Sequence, residues 1–330
     1  MSIASLQSVI RVDDPALESA TRDRALALDG WLSEVHPSAW AELKRAWRLP
    51  SVEASPVRDL WAFFLVATEV ARAATSGRGG TPASIVEGLV HSPIEVCEPV
   101  RVPGGGQISL PCDHGVIRSD LRTVAQPEIS GAVLSGLPRA AIADSLRAVV
   151  DKALSLVSST SNELLELVRF HCGAVALIDV EPTLERNTCV SLTSKLIPGL
   201  VYVTPVPPIL MAESIVHECA HLCLTCHERR ADLYVNAATR IMTPLRSDPR
   251  PISGLMHQVW VLAHLTRLYR ALLTSSSDAV ARNLRPVQNR LALHENGLRQ
   301  GIATLSAVSV ELTADGVLLA EALGSAVESR

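Results

Sequence analysis

The sequence has little charge for its length. Only 19% of its 330 residues are charged and 48% are hydrophobic, which excludes a disordered chain and indicates a substantial buried core. The net charge of −4 argues against a nucleic-acid-binding protein, because such a protein needs a basic surface. We therefore expect a globular protein of one large domain or two smaller ones.

Targeting and membrane segments are also missing from the sequence. The N-terminal residues lack a basic stretch followed by a long apolar one, so no signal peptide is expected. No apolar run reaches the roughly 18 residues that a membrane span needs. The 7 cysteines are an odd number scattered along the chain, which favours free thiols in a reducing compartment. The sequence thus predicts a soluble cytoplasmic protein without a membrane or nucleic-acid partner.

The spacing of apolar residues gives a coarse map of the chain. Apolar residues three and four positions apart predict helices over 15–75, 136–170, 209–236, 255–273 and parts of 278–330. Short β-prone runs between Pro and Gly predict strands or hairpins over 85–127, and two further strands over 173–180 and 199–205. Glycine and proline predict loops over 75–84 and 243–254, and the first of these lacks the GK[ST] ending of a phosphate-binding loop.

This map predicts an α+β protein that is mainly helical. The strand over 199–205 comes just before the helix that contains HECAH. This order matches the zincin arrangement, in which an edge strand precedes an HExxH helix. In this chain, additional helices are predicted after the motif helix. We divide the chain into a helical N-terminal region with a short β segment, residues 1–135, and a metal-binding catalytic region, residues 136–330. The N-terminal region is a candidate for binding a peptide.

The motif HECAH suggests a metal site. His217 and His221 are four residues apart, so on a helix their imidazoles lie on one face and can bind one ion. Glu218 projects beside them, within reach of a metal-bound water. An accidental HExxH string is the alternative, but the surrounding helix is apolar, and imidazoles that face the interior need partners.

The third ligand decides the class of enzyme, and the residues leave it open. Glu228 lies two turns along the same helix, too far for an ion held by a straight helix. His227 stands at the last position of the metzincin pattern, but Leu224 replaces its turning glycine and disfavours the left-handed conformation. His257 follows His221 by 36 positions and opens a helix that is apolar nearly all round. His264 is the fallback on roughly the same face.

Two segments, LMAESIVHECAHLCL and LRSDPRPISGLMHQVW, together resemble the HExxH-motif proteins that occur among bacterial peptide-modification genes. The resemblance extends over about 190–270 and includes SLTSKLIPGLVYVTP upstream. It implies an iron(II)- and 2-oxoglutarate-dependent β-hydroxylase that acts on a ribosomally made precursor peptide. It also implies that His217, His221 and His257 form the iron site. Cys219, Cys223 and Gln258 depart from the residues usual in that family.

The co-substrate implied by the resemblance needs a cation for its far carboxylate. An arginine suits a carboxylate through a bidentate contact, and LRSDPRP offers Arg246 and Arg250, of which we favour Arg250. The alternative is an arginine that braces the loop by pairing with Asp248. A hydroxyl from one of three residues is a further candidate contact: Ser253, Thr243 or Tyr202.

The role of Glu218 separates the two enzyme classes. In a zinc peptidase, the alternative function, Glu218 is the general base for metal-bound water. In a hydroxylase it orients a ligand or the peptide. A binding protein that retains the fold without activity is a third hypothesis. Cys223 and Cys226 form CxxC, and we interpret them as thiols packed within the helix.

Overall fold

The structure is a computed structural model that describes residues 15–35, 37–76, 82–124, 134–180, 189–243, 246–275 and 277–328. The described residues group into two compact units. The sheet unit lies within 15–154 and 169–218, and the helical unit lies within 155–168 and 219–328. This grouping does not test the functional boundary predicted after residue 135, which stays a prediction.

The described elements alternate helices with short strands. In chain order the α-helices are α1 (Pro15–Val35), α2 (Pro37–Ala46), α3 (Trp61–Ser76), α4 (Pro82–Val90), α5 (Gly115–Val124), α6 (Asp144–Thr160), α7 (Asn162–His171), α8 (Pro208–Glu228), α9 (Ile252–Thr274), α10 (Asp278–Ala281), α11 (Leu284–Ala307) and α12 (Ala314–Glu328). The strands are β1 (Val96–Arg101), β2 (Gln107–Pro111), β3 (Leu134–Gly136), β4 (Cys172–Val180), β5 (Ser191–Thr193), β6 (Gly199–Val203), β7 (Arg240–Thr243) and β8 (Arg246–Pro251). Short 3-10 turns lie at Val57–Leu60, Arg139–Ala141 and Ser309–Glu311. The predicted class, α+β and mainly helical, is confirmed.

The sheet unit contains a mixed sheet in the order β1-β2-β4-β6-β5, with β3 paired to β4. β4 pairs in parallel with β2 and β6. Its first seven residues are all buried, as expected of a strand covered on both faces. On the other side of β6, β5 pairs antiparallel. β6 is therefore an interior strand, and the predicted edge position before the HExxH helix is wrong.

Two glycines allow a close approach of backbone at the start of the central strands. Gly173 in β4 and Gly199 in β6 both face the carbonyl oxygen of Arg58, and a Cβ atom would lie 2.0 Å and 2.3 Å from it. Gly199 also has a φ of 87°, which favours glycine. Only glycine fits at these two positions without moving the Val57–Leu60 turn.

The core of the sheet unit contains one buried carboxyl. Trp40, Phe63 and Phe64 belong to the surrounding apolar cluster. Asp120 on α5 is 1% exposed and accepts a hydrogen bond of 2.9 Å from the Tyr202 hydroxyl. Ser194 donates to it at 3.4 Å, and the Arg72 guanidinium lies 3.5 Å away. Asp120 is thus the centre of a polar network inside the apolar core.

Asp120 should make stability depend on pH. Burial raises its pKa, although Tyr202, Arg72 and Ser194 oppose the rise. The carboxyl therefore stabilises the fold fully below its ordinary pKa of 3.8, and this contribution is lost as pH rises through the folded-state pKa.

The Asp120→Asn variant should lack this titration. We expect the wild type to lose unfolding free energy relative to this variant as pH is raised from about 4 to about 7. Urea unfolding of both proteins across this range measures the difference. A difference that stays constant with pH would contradict the prediction.

The helical unit is built around α9. This helix is buried at twelve positions and packs against α11 and α12, as expected for a helix that is apolar nearly all round. Tyr269 of α9 and His294 of α11 have ring centroids 5.3 Å apart, and Arg270 pairs with Glu295 at 2.8 Å. β7 and β8 form an antiparallel hairpin just before α9.

Several predicted boundaries are wrong. Residues 115–124, predicted as β-prone, form α5, and residues 85–90 belong to α4. The predicted loop over 243–254 includes the end of the β7–β8 hairpin and the start of α9. The predicted glycine-rich loop over 75–84 lies partly outside the described residues, and its last three residues belong to α4.

The HExxH helix also ends earlier than predicted. α8 stops at Glu228, because the following residues turn away to bond with a later segment. The amide of Val235 donates to the carbonyl of Glu311 at 2.9 Å, and the amide of Thr313 donates to the carbonyl of Leu233 at 3.2 Å. Within the described residues, α8 is the one helix long and apolar enough to cross a membrane, but 72% of its apolar window is buried. Such burial is compatible with the core helix of a soluble protein.

Candidate metal centre

Helix α8 presents the two motif histidines on successive turns. It begins with Pro208 at its first position, where a missing N–H is tolerated, and continues through an apolar sequence. His217 and His221 are both half-buried. The Nε2 atom of His217 lies 3.8 Å from Glu218 Oε1. The HExxH motif thus lies on a helix, as predicted.

In the helical unit, His221 meets His257. Their Nδ1 atoms are 3.0 Å apart, and their ring centroids are 5.1 Å apart with planes inclined by 32°. His257 is 7% exposed. One turn further along α9, the Trp260 indole N–H donates to the carbonyl of Ala220 at 3.0 Å. This bond joins α9 to α8 beside the histidine pair. Of the three predicted ligands, the structure thus brings His221 and His257 into contact, and the metal site itself stays a prediction.

Behind His257 lies a carboxylate that the sequence interpretation had set aside. Glu228 Oε2 is 3.1 Å from His257 Nε2, and Glu228 Oε1 accepts a hydrogen bond of 2.7 Å from the Tyr234 hydroxyl. Burial and the neighbouring Glu228 raise the pKa of Tyr234 well above its usual range. Glu228 therefore contacts a candidate ligand from its far side. Tyr234 was missed, because nothing in its spacing from the motif indicates this contact.

Glu218 is enclosed in the sheet unit. Its side chain is 3% exposed and accepts a hydrogen bond of 2.7 Å from the Ser191 hydroxyl on β5. Burial raises the pKa of Glu218 to about 8, although the Ser191 bond opposes the rise. Such a carboxyl can hold or release a proton near neutral pH. Ser191 was also missed, because its contact with Glu218 joins residues 27 positions apart and no spacing in the sequence indicates it.

The predicted anion-binding arginines lie on β8. Arg250 Nε is 2.8 Å from Asp248 Oδ2, which is the loop-bracing pair considered as the alternative. Arg250 Cβ would lie 3.9 Å from a Cβ atom at Gly254, in the first turn of α9. The backbone of Arg246 pairs with Thr243 across the hairpin, and its side chain lies outside the described residues.

The three candidate hydroxyl groups each have their own surroundings. Tyr202 donates to Asp120 in the core of the sheet unit. Ser253 donates to the Ala237 carbonyl at 3.3 Å, and Thr243 is buried at the end of β7. The hydroxyls of Tyr202 and Ser253 thus each donate to another group of the protein.

His227 and His264, the other histidines considered as third ligand, lie further along α8 and α9. His227 is buried in the last turn of α8. His264 donates from Nδ1 to the Trp260 carbonyl at 2.9 Å, its ring lies 4.6 Å from the Trp260 ring, and burial lowers its pKa.

The helix thiols are buried as packed side chains. Cys219 and Cys223 are fully buried, and Cys226 is half-buried. Burial raises the pKa of Cys223 and Cys226. A raised pKa disfavours the thiolate form that redox chemistry and metal binding need, which agrees with the interpretation of these cysteines as packing residues.

The described residues contain no group of three or more histidine, cysteine or acidic side chains placed to hold a metal ion. What the structure brings together is the pair His221 and His257, with Glu228 and Tyr234 behind it. No protein-family model matches the chain, and no curated protein matches it at a significant level.

Proposed function

We propose that this protein is an iron(II)- and 2-oxoglutarate-dependent hydroxylase of a ribosomally made peptide. The observation that supports this most is the approach of His257 to His221, with Nδ1 atoms 3.0 Å apart. These residues are 36 positions apart in sequence, and they are two of the three histidines that the resemblance implies as ligands. The motif alone would not require a histidine from α9.

The histidine pair fits a divalent transition metal. Metal–nitrogen bonds of about 2.1 Å place two adjacent nitrogens of an octahedral ion about 3 Å apart, which is close to the observed separation. Imidazole is a suitable ligand for iron. His217, one turn before His221 on α8, is the proposed third ligand. When bound, Fe(II) would supply the activation of dioxygen, with 2-oxoglutarate as the reductant that is oxidised to succinate and carbon dioxide.

Two arginines of β8 are the proposed contacts for the co-substrate. Arg250 binds the far carboxylate of 2-oxoglutarate, because a guanidinium offers it two parallel N–H donors. Its backbone pairs with Ile241 across the β7–β8 hairpin, and β8 leads directly into α9, the helix that carries His257. Asp248 orients the guanidinium at 2.8 Å. Arg246 is the second candidate for this contact.

The remaining parts of the proposal concern the partner and the location. The substrate is a precursor peptide, and residues 1–135 are the proposed peptide-binding region, with residues 136–330 as the catalytic region. The proposed location is the cytoplasm. The described cysteines are all free, and a reducing cytoplasm would keep both these thiols and Fe(II) reduced.

The identity of the metal tests the proposal directly. Protein prepared without oxygen should bind Fe(II), and adding 2-oxoglutarate should produce a metal-to-ligand charge-transfer absorption band. Exposure to air should then release succinate. Protein that binds zinc tightly and shows no optical response of its Fe(II) form to 2-oxoglutarate would overturn the hydroxylase proposal.

A zinc peptidase is the second candidate, because the Glu218 carboxylate lies beside His217, with Oε1 3.8 Å from Nε2. In a peptidase this carboxylate would take a proton from metal-bound water, and Glu218→Gln would remove nearly all turnover, by about 100-fold or more. A hydroxylase has no such proton transfer and should retain part of its activity.

The two candidates can be separated in one assay. Wild type and Glu218→Gln are incubated with a peptide library, Fe(II) or Zn(II), 2-oxoglutarate and air. Mass spectrometry then detects either cleaved peptides or peptides that have gained one oxygen atom. Cleavage by the wild type that Glu218→Gln abolishes would favour the peptidase. Oxygen addition that survives the substitution supports the hydroxylase.

A further inference from the structure

We propose that Glu228 and Tyr234 are positioning residues that hold the proton of His257 on Nε2 and leave its Nδ1 lone pair facing His221. The inference rests on the proposed function, because that lone pair is the one that would bind the metal. Neither residue belongs to the predicted ligand set.

The contacts form a continuous chain within the helical unit. The Tyr234 hydroxyl donates to Glu228 Oε1 at 2.7 Å, Glu228 Oε2 lies 3.1 Å from His257 Nε2, and His257 Nδ1 lies 3.0 Å from His221 Nδ1. The side chains of His257 and Glu228 are only 9% and 16% exposed. Water therefore competes little for these bonds, and their donors and acceptors fix one another.

The inventory of donors gives the direction of each bond. An ionised carboxylate only accepts hydrogen bonds, so the proton between Glu228 and His257 belongs to His257 Nε2. A neutral imidazole carries one N–H, so Nδ1 of His257 must then be an acceptor. In the metal-free protein, His221 Nδ1–H donates to it. The same lone pair becomes available to an ion once His221 gives up that proton.

The place of Glu228 in its helix supports a functional role. It is the last residue of α8, where the partial negative charge of the helix end makes a carboxylate unfavourable. A basic residue is the favoured choice at such a position. The contact with His257 gives a reason for a carboxylate here. Carboxylates that hold the far nitrogen of a ligand histidine fix its orientation and make it a stronger ligand.

The proton position on His257 can be measured without metal. Long-range ¹H–¹⁵N spectra of histidine side chains distinguish the two neutral forms, at a pH of about 8, above the ordinary pKa of imidazole. We expect the His257 signals of the metal-free wild type to report a proton on Nε2. The His257→Gln variant assigns these signals, because they disappear from its spectrum. A wild-type proton on Nδ1 would overturn the inference, whatever the variants show.

The Glu228→Gln variant keeps the size of the side chain but adds an amide donor. Glutamine can donate to His257 Nε2, so a population with the proton on Nδ1 should appear. The matched control is Glu295→Gln, which removes a carboxylate 2.9 Å from Arg270 Nε in the same unit. It should leave the His257 signals unchanged.

Metal affinity gives the second readout. Fe(II) titrated anaerobically into Glu228→Gln should bind about 10- to 100-fold more weakly than to the wild type, with Glu295→Gln unaffected. Tyr234→Phe retains the carboxylate and removes one hydroxyl, so it should keep the proton on Nε2 and lose less affinity. If Glu228→Gln does not fold, Tyr234→Phe and the wild-type spectrum still test the inference.

The results separate this inference from the proposed function. A proton on Nε2 that moves in Glu228→Gln, in a protein that binds no Fe(II), would support the positioning role and reject the hydroxylase. Tight Fe(II) binding that is equal in the wild type and Glu228→Gln, with unchanged spectra, would reject the positioning role and leave the hydroxylase standing.

Discussion

Replacing His257 with alanine is expected to weaken Fe(II) binding by more than 100-fold and to stop succinate formation. Loss of a residue behind a ligand typically weakens metal affinity by about 10- to 100-fold, and loss of the ligand itself should exceed that range. The substitution also removes the partner that lies 3.0 Å from His221 Nδ1. Anaerobic calorimetry with Fe(II) measures the first effect, and succinate release in air measures the second.

The control for this variant is a histidine from the same helix. His264→Ala removes a half-buried imidazole seven residues later, which donates to the Trp260 carbonyl and has no described contact with His221. It should reduce stability while leaving Fe(II) affinity close to the wild-type value. Equal loss of Fe(II) affinity in both variants, or none in His257→Ala, would show that His257 is not a ligand.

Removal of the Asp120 carboxyl should be the most damaging of the substitutions considered for the sheet unit. Asp120→Ala leaves the Tyr202 hydroxyl, which is fully buried, without the acceptor at 2.9 Å. It also removes the carboxylate that lies 3.5 Å from the Arg72 guanidinium. We expect the free energy of unfolding to fall by about 3 kcal/mol. Urea unfolding at neutral pH, followed by circular dichroism, provides the measurement.

Tyr202→Phe distinguishes the polar network from simple packing. It removes only the hydroxyl, and Asp120 retains Ser194 and Arg72 as partners. The expected loss is about 1 kcal/mol. If Asp120→Ala costs no more than Tyr202→Phe, the carboxyl is not the centre of the network.

Elements with strong local patterns could be predicted from the sequence. The apolar sequence of α9 and the continuous apolar run of β4 led to correct positions for both, because burial on all sides requires such sequences. The motif helix was also predicted, together with the meeting of His221 and His257. Spacing alone left the partner of His221 open, and the role of the two histidines as metal ligands stays a prediction.

Errors arose where distant residues decide the local structure. The segment after Glu228 has a helix-like sequence, but it bonds with residues 311–313 and leaves the helix. The prolines at 249 and 251 indicated a loop, whereas both fit an edge strand of the β7–β8 hairpin. The position of β6 in the sheet depended on β5, a strand of three residues that is too short to give a periodic signal.

The contacts around the candidate site show the same limit. From the sequence, Glu228 was considered only as a direct metal ligand. It lies two turns beyond His221 on α8, which is too far for a residue that shares an ion with that histidine. Its bond with His257 depends on how α9 returns to the end of α8, which no spacing within α8 encodes. Tyr234 reaches Glu228 only because the helix has ended. Such contacts follow from tertiary structure, and only the chemistry of each residue type could be known beforehand.

The bond from the Trp260 indole to the Ala220 carbonyl has a consequence for the order of assembly. It connects the two helices beside His221 and His257, through residues outside the proposed ligand set, so it holds the two rings near each other without an ion. Some proteins fold only when their metal is bound, and they unfold when the ion is removed. If the proposed iron site is correct, the polypeptide folds first and binds the ion as a late step, so that little reorganisation opposes metal binding.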